Sequence, residues 1–151
     1  RSKIGLSTED PRDLELINDL LSLMEEEHAD FTLVFRRLAQ ALRGNSDPVR
    51  NLFEEPDAFN VWELRWRQRL EQEGIAAETR VQGMDRVNPI YIPRNHKVEN
   101  ALSSASENGD LATLHLLLDV ITKPYIERNG LKTYTEPRPS DYTPYQTFCG
   151  T

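Results

Sequence analysis

Three stretches carry side chains whose types and spacing could do chemistry. Glu25-Glu26-Glu27-His28 contains Glu-x-x-His, which on a helix sets two metal ligands on one face, as in di-metal carboxylate bundles. Such a centre needs a second copy and two further inward glutamates. His96-x-x-Glu99 runs in the reverse order and no other pair follows, so the stretch reads as a solvated acidic helix end. Ser103, Ser104 and Ser106 lie close in sequence to His96 and His115, a combination that could serve nucleophilic attack. They lack the strained strand-to-helix elbow and oxyanion loop that activate a serine. The 7 glycines are dispersed and form no phosphate-cradling loop, and no Asp-Phe-Gly or His-Arg-Asp element of a kinase site is present. No residue of this chain is therefore assigned to catalysis, cofactor binding or metal ligation.

The third stretch is Arg94-Asn95-His96, inside VNPIYIPRNHKVENALSSASENGD. Pro93 presets φ for the start of a helix, and Asn95 can accept free backbone amides there. Arg94 offers a planar fork suited to a carboxylate. Helix grammar accounts for Pro93 and Asn95 but leaves Arg94 and His96 over, so the triplet is a candidate docking surface for another domain.

The elements that must position these residues are helical. Asp10-Pro11 reads as a helix start, with Leu14, Ile17, Leu20, Leu21 and Met24 on one face. Asp30 can cap a second helix with Phe31, Val34, Phe35, Leu38 and Leu42 inward, ended by Gly44. Asp47-Pro48 begins a short turn carrying Leu52 and Phe53. Pro56-Asp57 opens a helix whose Phe59, Trp62, Trp66 and Leu70 share a side, up to Gly74. Trp62 and Trp66 read as packed core, and Arg65, Arg67 and Arg69 as a solvated or ion-paired face. A weaker segment over 76–86 carries Val81 and Met84. A helix over 93–108 places Val98, Ala101, Leu102 and Ala105 inward. After Gly109, Asp110 caps a last helix striped by Leu111, Leu114, Leu117, Leu118 and Ile121. The Gly-Asp junction has the grammar of a tight helical hairpin; the self-similarity at about 33 residues that ankyrin repeats need is absent.

No stretch alternates with a period of two, so a sheet is not expected. From Thr122 the character changes. Pro124, Pro137, Pro139 and Pro144 punctuate the chain, and Tyr125, Tyr134, Tyr142, Tyr145 and Phe148 are too aromatic for plain disorder. The expected fold is all-α: a compact bundle of about seven helices over 1–121, with an irregular tail over 122–151 lying against a surface.

Charge narrows the function. Against 18 Lys+Arg stand 25 Asp+Glu, for a net charge of -7, which argues against a nucleic-acid or anionic-membrane partner. No apolar run reaches the ~20 residues that span a bilayer, and no targeting segment is read at the amino end. The chain opens on Arg1 in place of Met, which reads as a piece cut from a longer protein. Cys149 is the single cysteine, so neither an internal disulfide nor a zinc finger can form, and a reducing compartment is expected.

Asn88-Pro-Ile-Tyr-Ile-Pro-Arg-Asn-His96, followed by Val98-Glu99-x-Ala101-Leu102 and Gly109-Asp110, resembles the carboxy-terminal signature of the SelO (YdiU) family. Further stretches fall in that family's order: Lys3-Ile-Gly-Leu6, Asp30-Phe-Thr32 with Phe35-Arg36 and Leu38, and Trp62 with Trp66-Arg67 and Leu70. Met84-Asp85-Arg86-Val87-Asn88-Pro89, Lys123-Pro-Tyr125 and Cys149, third from the end, complete the likeness. The resemblance implies a kinase-like protein that transfers AMP from ATP, with Mg or Mn, onto hydroxyl side chains of protein substrates. It also implies that the ATP- and metal-binding residues lie upstream, in a kinase-like catalytic domain of the same polypeptide that would be this chain's partner. Cys149 matches a near-terminal cysteine or selenocysteine associated with redox control, although the ending Cys-Gly-Thr departs from the usual Cys-Ser-Ser. The implied location is cytoplasmic in a bacterium and mitochondrial in a eukaryote. The expectation is an accessory, regulatory helical domain without an active site. A free-standing helical adaptor is the alternative, and an independent iron or manganese enzyme a third.

Overall fold

The computed structural model describes residues 1–139; Cys149 and the tail residues Tyr142, Pro144, Tyr145 and Phe148 lie outside the described residues. Among those residues the regular structure is helical throughout, with no strand. The α-helices are α1 (Asp13–Glu26), α2 (Phe31–Leu42), α3 (Asp47–Arg50), α4 (Pro56–Glu71), α5 (Ala77–Val87), α6 (Asn95–Asn108) and α7 (Ala112–Ile121). Short 3-10 turns occupy Ser2–Ile4 and Lys132–Tyr134. The described residues divide into two units: residues 1–90 with 124–127, and residues 91–123 with 128–139.

The first unit is built around α2 and α4. Asp30 caps α2, its carboxylate accepting from the Leu33 amide at 2.9 Å. Val34, Leu38 and Ala41 of α2 then face a core shared with Phe59 and Trp66 of α4 and with Val81 and Met84 of α5, all fully buried. Phe53, Phe59, Trp62 and Trp66 form a ladder of rings with successive centroids 4.8, 5.7 and 5.4 Å apart. Both indoles are satisfied: Trp62 Nε1 donates to the Leu16 carbonyl and Trp66 Nε1 to the Ile4 carbonyl, each at 2.8 Å. Residues 124–127 return to this unit, where the Ile90 amide donates to the Pro124 carbonyl at 2.7 Å and Arg37 pairs with Glu127 at 3.6 Å.

Helix α1 differs from the sequence expectation. Asp10 does not cap it directly but accepts from the Arg12 amide at 2.8 Å, and the helix starts at Asp13. Its inward residues are Asp13, Leu16, Leu20, Leu23 and Met24, while Leu14 and Leu21 are exposed. Leucines are dense enough here to offer two overlapping stripes. The buried pairing of Asp13 with Arg69 at 2.7 Å selects between them.

The second unit is a helical hairpin, α6 and α7, with residues 128–135 laid on it. Gly109 ends α6 in the left-handed conformation at φ 67°, and the Asp110 carboxylate accepts from the Ala112 amide at 2.8 Å to start α7. The Tyr91 hydroxyl accepts from the Arg128 amide at 2.9 Å, and the Arg128 guanidinium pairs with Asp119 at 2.6 Å. Of the residues expected inward, only Ala101 of α6 and Leu117 of α7 are fully buried; Leu102, Leu111 and Leu118 are exposed.

Candidate functional site

Two places bring the singled-out residues together. The first is a joint in the first unit, made from stretches far apart in sequence. Lys3 Nζ donates to the Val87 carbonyl and to Asn88 Oδ1, both at 3.3 Å, and lies 5.5 Å from the centre of the Phe35 ring. Asn88 answers through Nδ2, donating to the Lys3 carbonyl at 2.8 Å. Arg36, buried in α2, donates to the Asp85 and Asn88 carbonyls at 3.1 and 3.2 Å and pairs with the Asp85 carboxylate. Gly5 permits the tight approach: its φ is +77°, and a Cβ there would stand 2.8 Å from Met84 Sδ and 2.9 Å from Arg80 Cγ. Lys3-Ile-Gly-Leu6, Phe35-Arg36, Trp66 and Met84–Asn88 therefore meet as one packed joint.

Beside it runs a buried ion network that sequence reasoning missed. Asp13 is bridged by Arg69 at 2.7 Å and by Arg1 at 2.8 Å. The Glu73 carboxylate, with no solvent exposure, takes Arg80 at 2.6 Å, the Ser7 and Thr8 amides at 3.0 and 2.8 Å, and the Thr8 hydroxyl at 2.7 Å. Arg80 also donates to the Gly5 carbonyl. Burial pushes Glu73 up, but the hydrogen bonds from Arg80, Thr8 and Ser7 outweigh it and hold its carboxyl down at about 2. For Asp13, burial is likewise outweighed by Arg69 and Arg1, and its pKa is lowered. Of the three arginines expected on a solvated or ion-paired face, Arg69 is ion-paired but buried, whereas the more exposed Arg67 and Arg65 pair with Glu63 and Asp19. The i, i+4 spacing of Arg69 and Glu73 was the one available signal.

The second place holds the triplet. Arg94 precedes α6 in extended conformation (φ -70°, ψ 129°), and its carbonyl accepts from the Lys97 and Val98 amides at 2.9 and 3.0 Å. Its guanidinium Nη2 donates to the Thr135 carbonyl at 3.0 Å. Asn95 is the first residue of α6, where no side-chain cap bond forms, so its expected capping role is not seen. Arg94, Asn95 and His96 line an open cleft of about 260 Å³ with Ile92, Pro93 and Arg138. Burial lowers the pKa of His96, with Lys97 and Arg94 adding to the effect and Glu99 opposing it. The cleft is open and lined by two arginines, so it can take a carboxylate-bearing surface.

The other chemical candidates come apart. Helix α1 ends at Glu26 and His28 sits beyond it at φ 52°, so Glu25 and His28 do not share a helical face. Ser106 donates to the Ser103 carbonyl at 3.3 Å on an exposed surface. Among the described residues no group of three or more His, Cys, Asp and Glu is arranged to hold a metal ion. No helix among them is long and apolar enough to cross a membrane.

The family model for protein adenylyltransferase SelO matches residues 1–122. Among curated bacterial relatives, the protein nucleotidyltransferase YdiU of Rhizobium meliloti is 46% identical over 153 residues, covering 100% of this chain and 31% of the relative. That of Maridesulfovibrio salexigens is 45% identical over 150 residues, covering 99% and 30%. That of Rhodopseudomonas palustris is 47% identical over 153 residues, covering 100% and 31%. The chain thus spans just under a third of the length of these relatives. With a family match over most of its length and these identities across the whole of it, the chain belongs to the SelO family of protein adenylyltransferases.

Proposed function

We propose that this chain is the carboxy-terminal helical domain of a SelO-type kinase-like protein that transfers AMP from ATP to hydroxyl side chains of other proteins. Its own part is accessory: it braces and regulates a catalytic domain carried elsewhere in the polypeptide. The observation that carries this reading is where the family-like residues of the first unit go. Lys3, Gly5, Arg36, Asp85 and Asn88 are engaged in holding that unit together, which supports a bracing part for it.

ATP and Mg or Mn belong to the catalytic part. The residues described here do not fit them: the carboxylates are dispersed or locked to arginines, and the left-handed glycines sit at turns between helices. The proposed location in a bacterial host is the cytoplasm. Arg94, Asn95 and His96 are the proposed contact with the kinase-like domain. Cys149 is the proposed redox element. Pairing with an upstream cysteine would convert two thiols to a disulfide, with two electrons and two protons passing to oxidised glutathione.

The test is AMP transfer from labelled ATP by the full-length polypeptide and by this chain alone, with ATP binding followed calorimetrically in both. Transfer and binding are expected in the full-length protein only. Nucleotide binding and labelling by this chain alone would overturn the accessory reading. Arg94→Ala in the full-length protein is expected to lower transfer; unchanged transfer and stability would remove the triplet from the interface.

A further inference from the structure

Helix α7 carries more apolar surface than its contacts among the described residues bury. Leu117 and Val120 are buried. Leu111, Leu114, Leu118 and Ile121, spaced three or four apart, form a second stripe along a neighbouring side. Leu111 and Leu118 remain 49% and 46% exposed, and Leu114 and Ile121 are half-buried. The one carboxylate on the helix, Asp119, is engaged by Lys123 at 2.9 Å and Arg128 at 2.6 Å. A helix at a water boundary shows one apolar stripe and an opposite charged face, whereas one that is apolar most of the way round is covered on more than one side.

We propose that the Leu111–Leu114–Leu118–Ile121 stripe is the seat of the rest of the same polypeptide, which presents to it an apolar groove from the kinase-like domain. This inference rests on the accessory-domain reading above. Two observations favour that occupant over a second copy of the chain. The relatives place this sequence within proteins of which it is only 31%, so more than two thirds of each such protein is available as a covering body. The stripe is also small. A helix of 10 residues is about 15 Å long and about 10 Å across, so one face of it offers about 150 Å², far short of the roughly 800 Å² per partner that a stable contact between separate molecules uses. Contact within one polypeptide has a high effective concentration and holds with less area.

The experiment compares the double variant Leu111→Gln, Leu118→Gln in the full-length polypeptide and in this chain. Both side chains are exposed among the described residues, so the melting temperature of this chain is expected to stay within about a degree and it is expected to elute as a monomer. In the full-length protein the melting temperature is expected to drop by several degrees. Wild-type hydrogen exchange provides a second reading should the full-length variant not fold: α7 amides are expected to exchange at least tenfold more slowly in the full-length protein than in this chain. Equal melting shifts in both proteins would overturn the proposal, as would no shift in either or equal exchange rates. So would a concentration-dependent dimer of this chain that the substitutions abolish, which would make a second copy the occupant. These readouts need no activity. Absence of AMP transfer by the full-length protein would defeat the functional reading and leave the docking result standing.

Discussion

Glu73 is an acid without solvent contact whose oxygens are fully used by Arg80, Thr8 and Ser7. Glu73→Gln keeps the shape but leaves Arg80 buried without its counter-charge, a loss of about 3–5 kcal/mol by comparison with other broken buried pairs. Chemical denaturation is expected to show a lower midpoint with an unchanged slope; an unmoved midpoint would refute the assignment. The pH dependence follows from the direction of the shift. Since the folded pKa lies near 2, below the ordinary 4.5, the unfolded chain binds the proton more readily, and acid favours unfolding. Stability from Glu73 is complete above about pH 4.5 and drains away as the pH falls towards about 2, and Asp13 acts in the same sense. Thermal melts across that window are expected to fall steeply in the wild type and less steeply in Glu73→Gln. None of this was legible in the sequence beyond the Arg69–Glu73 spacing, because the remaining partners are the Arg80 guanidinium, the Thr8 hydroxyl and the Ser7 and Thr8 amides, brought near only by the fold.

At the scale of elements, the glycine turns and the Asp30 cap were readable, whereas the caps expected at Asp10 and Asn95 and the inward faces of α1 and α7 were not. Asp30 does cap α2, and Asp30→Ala is expected to cost about 1 kcal/mol in the same denaturation assay. Gly74 and Gly109 stand where left-handed termini were expected, at φ 63° and 67°. Gly5 was read only as part of a motif, yet among the described glycines it is the one with no room for a Cβ. Gly5→Ala combines a left-handed penalty with overpacking against Met84 and Arg80, so a loss of about 2–4 kcal/mol is expected. Gly44→Ala serves as the control: it has a positive φ as well but open space around it, so it should pay the backbone penalty alone. The aromatic stripe of α4 was legible because rings at i, i+3 and i+7 have one sensible destination. The stripes of α1 and α7 were not, since leucine-dense helices leave the choice of face to partners elsewhere in the chain or outside it.

Considered whole, the all-helical class was legible from periodicity, while the division into two units was not, because it depends on which distant stretches touch. The two units also differ in how they are held. The first has a continuous apolar core; the second relies on a few buried side chains and on exposed ion pairs around Asp119. Local opening should follow that difference, so amides of α6 and α7 in this chain are expected to exchange with solvent well before those of α2 and α4. Equal protection across all four helices would show that the hairpin is as firmly held as the core. The ring ladder adds a practical consequence. The 2 tryptophans of the chain both belong to the first unit, stacked and hydrogen-bonded, and the second unit has none. Indole emission is therefore a private reporter of one half of the molecule: a fluorescence melt will remain silent while α6 and α7 come undone, and circular dichroism will record a loss of helix that fluorescence does not see.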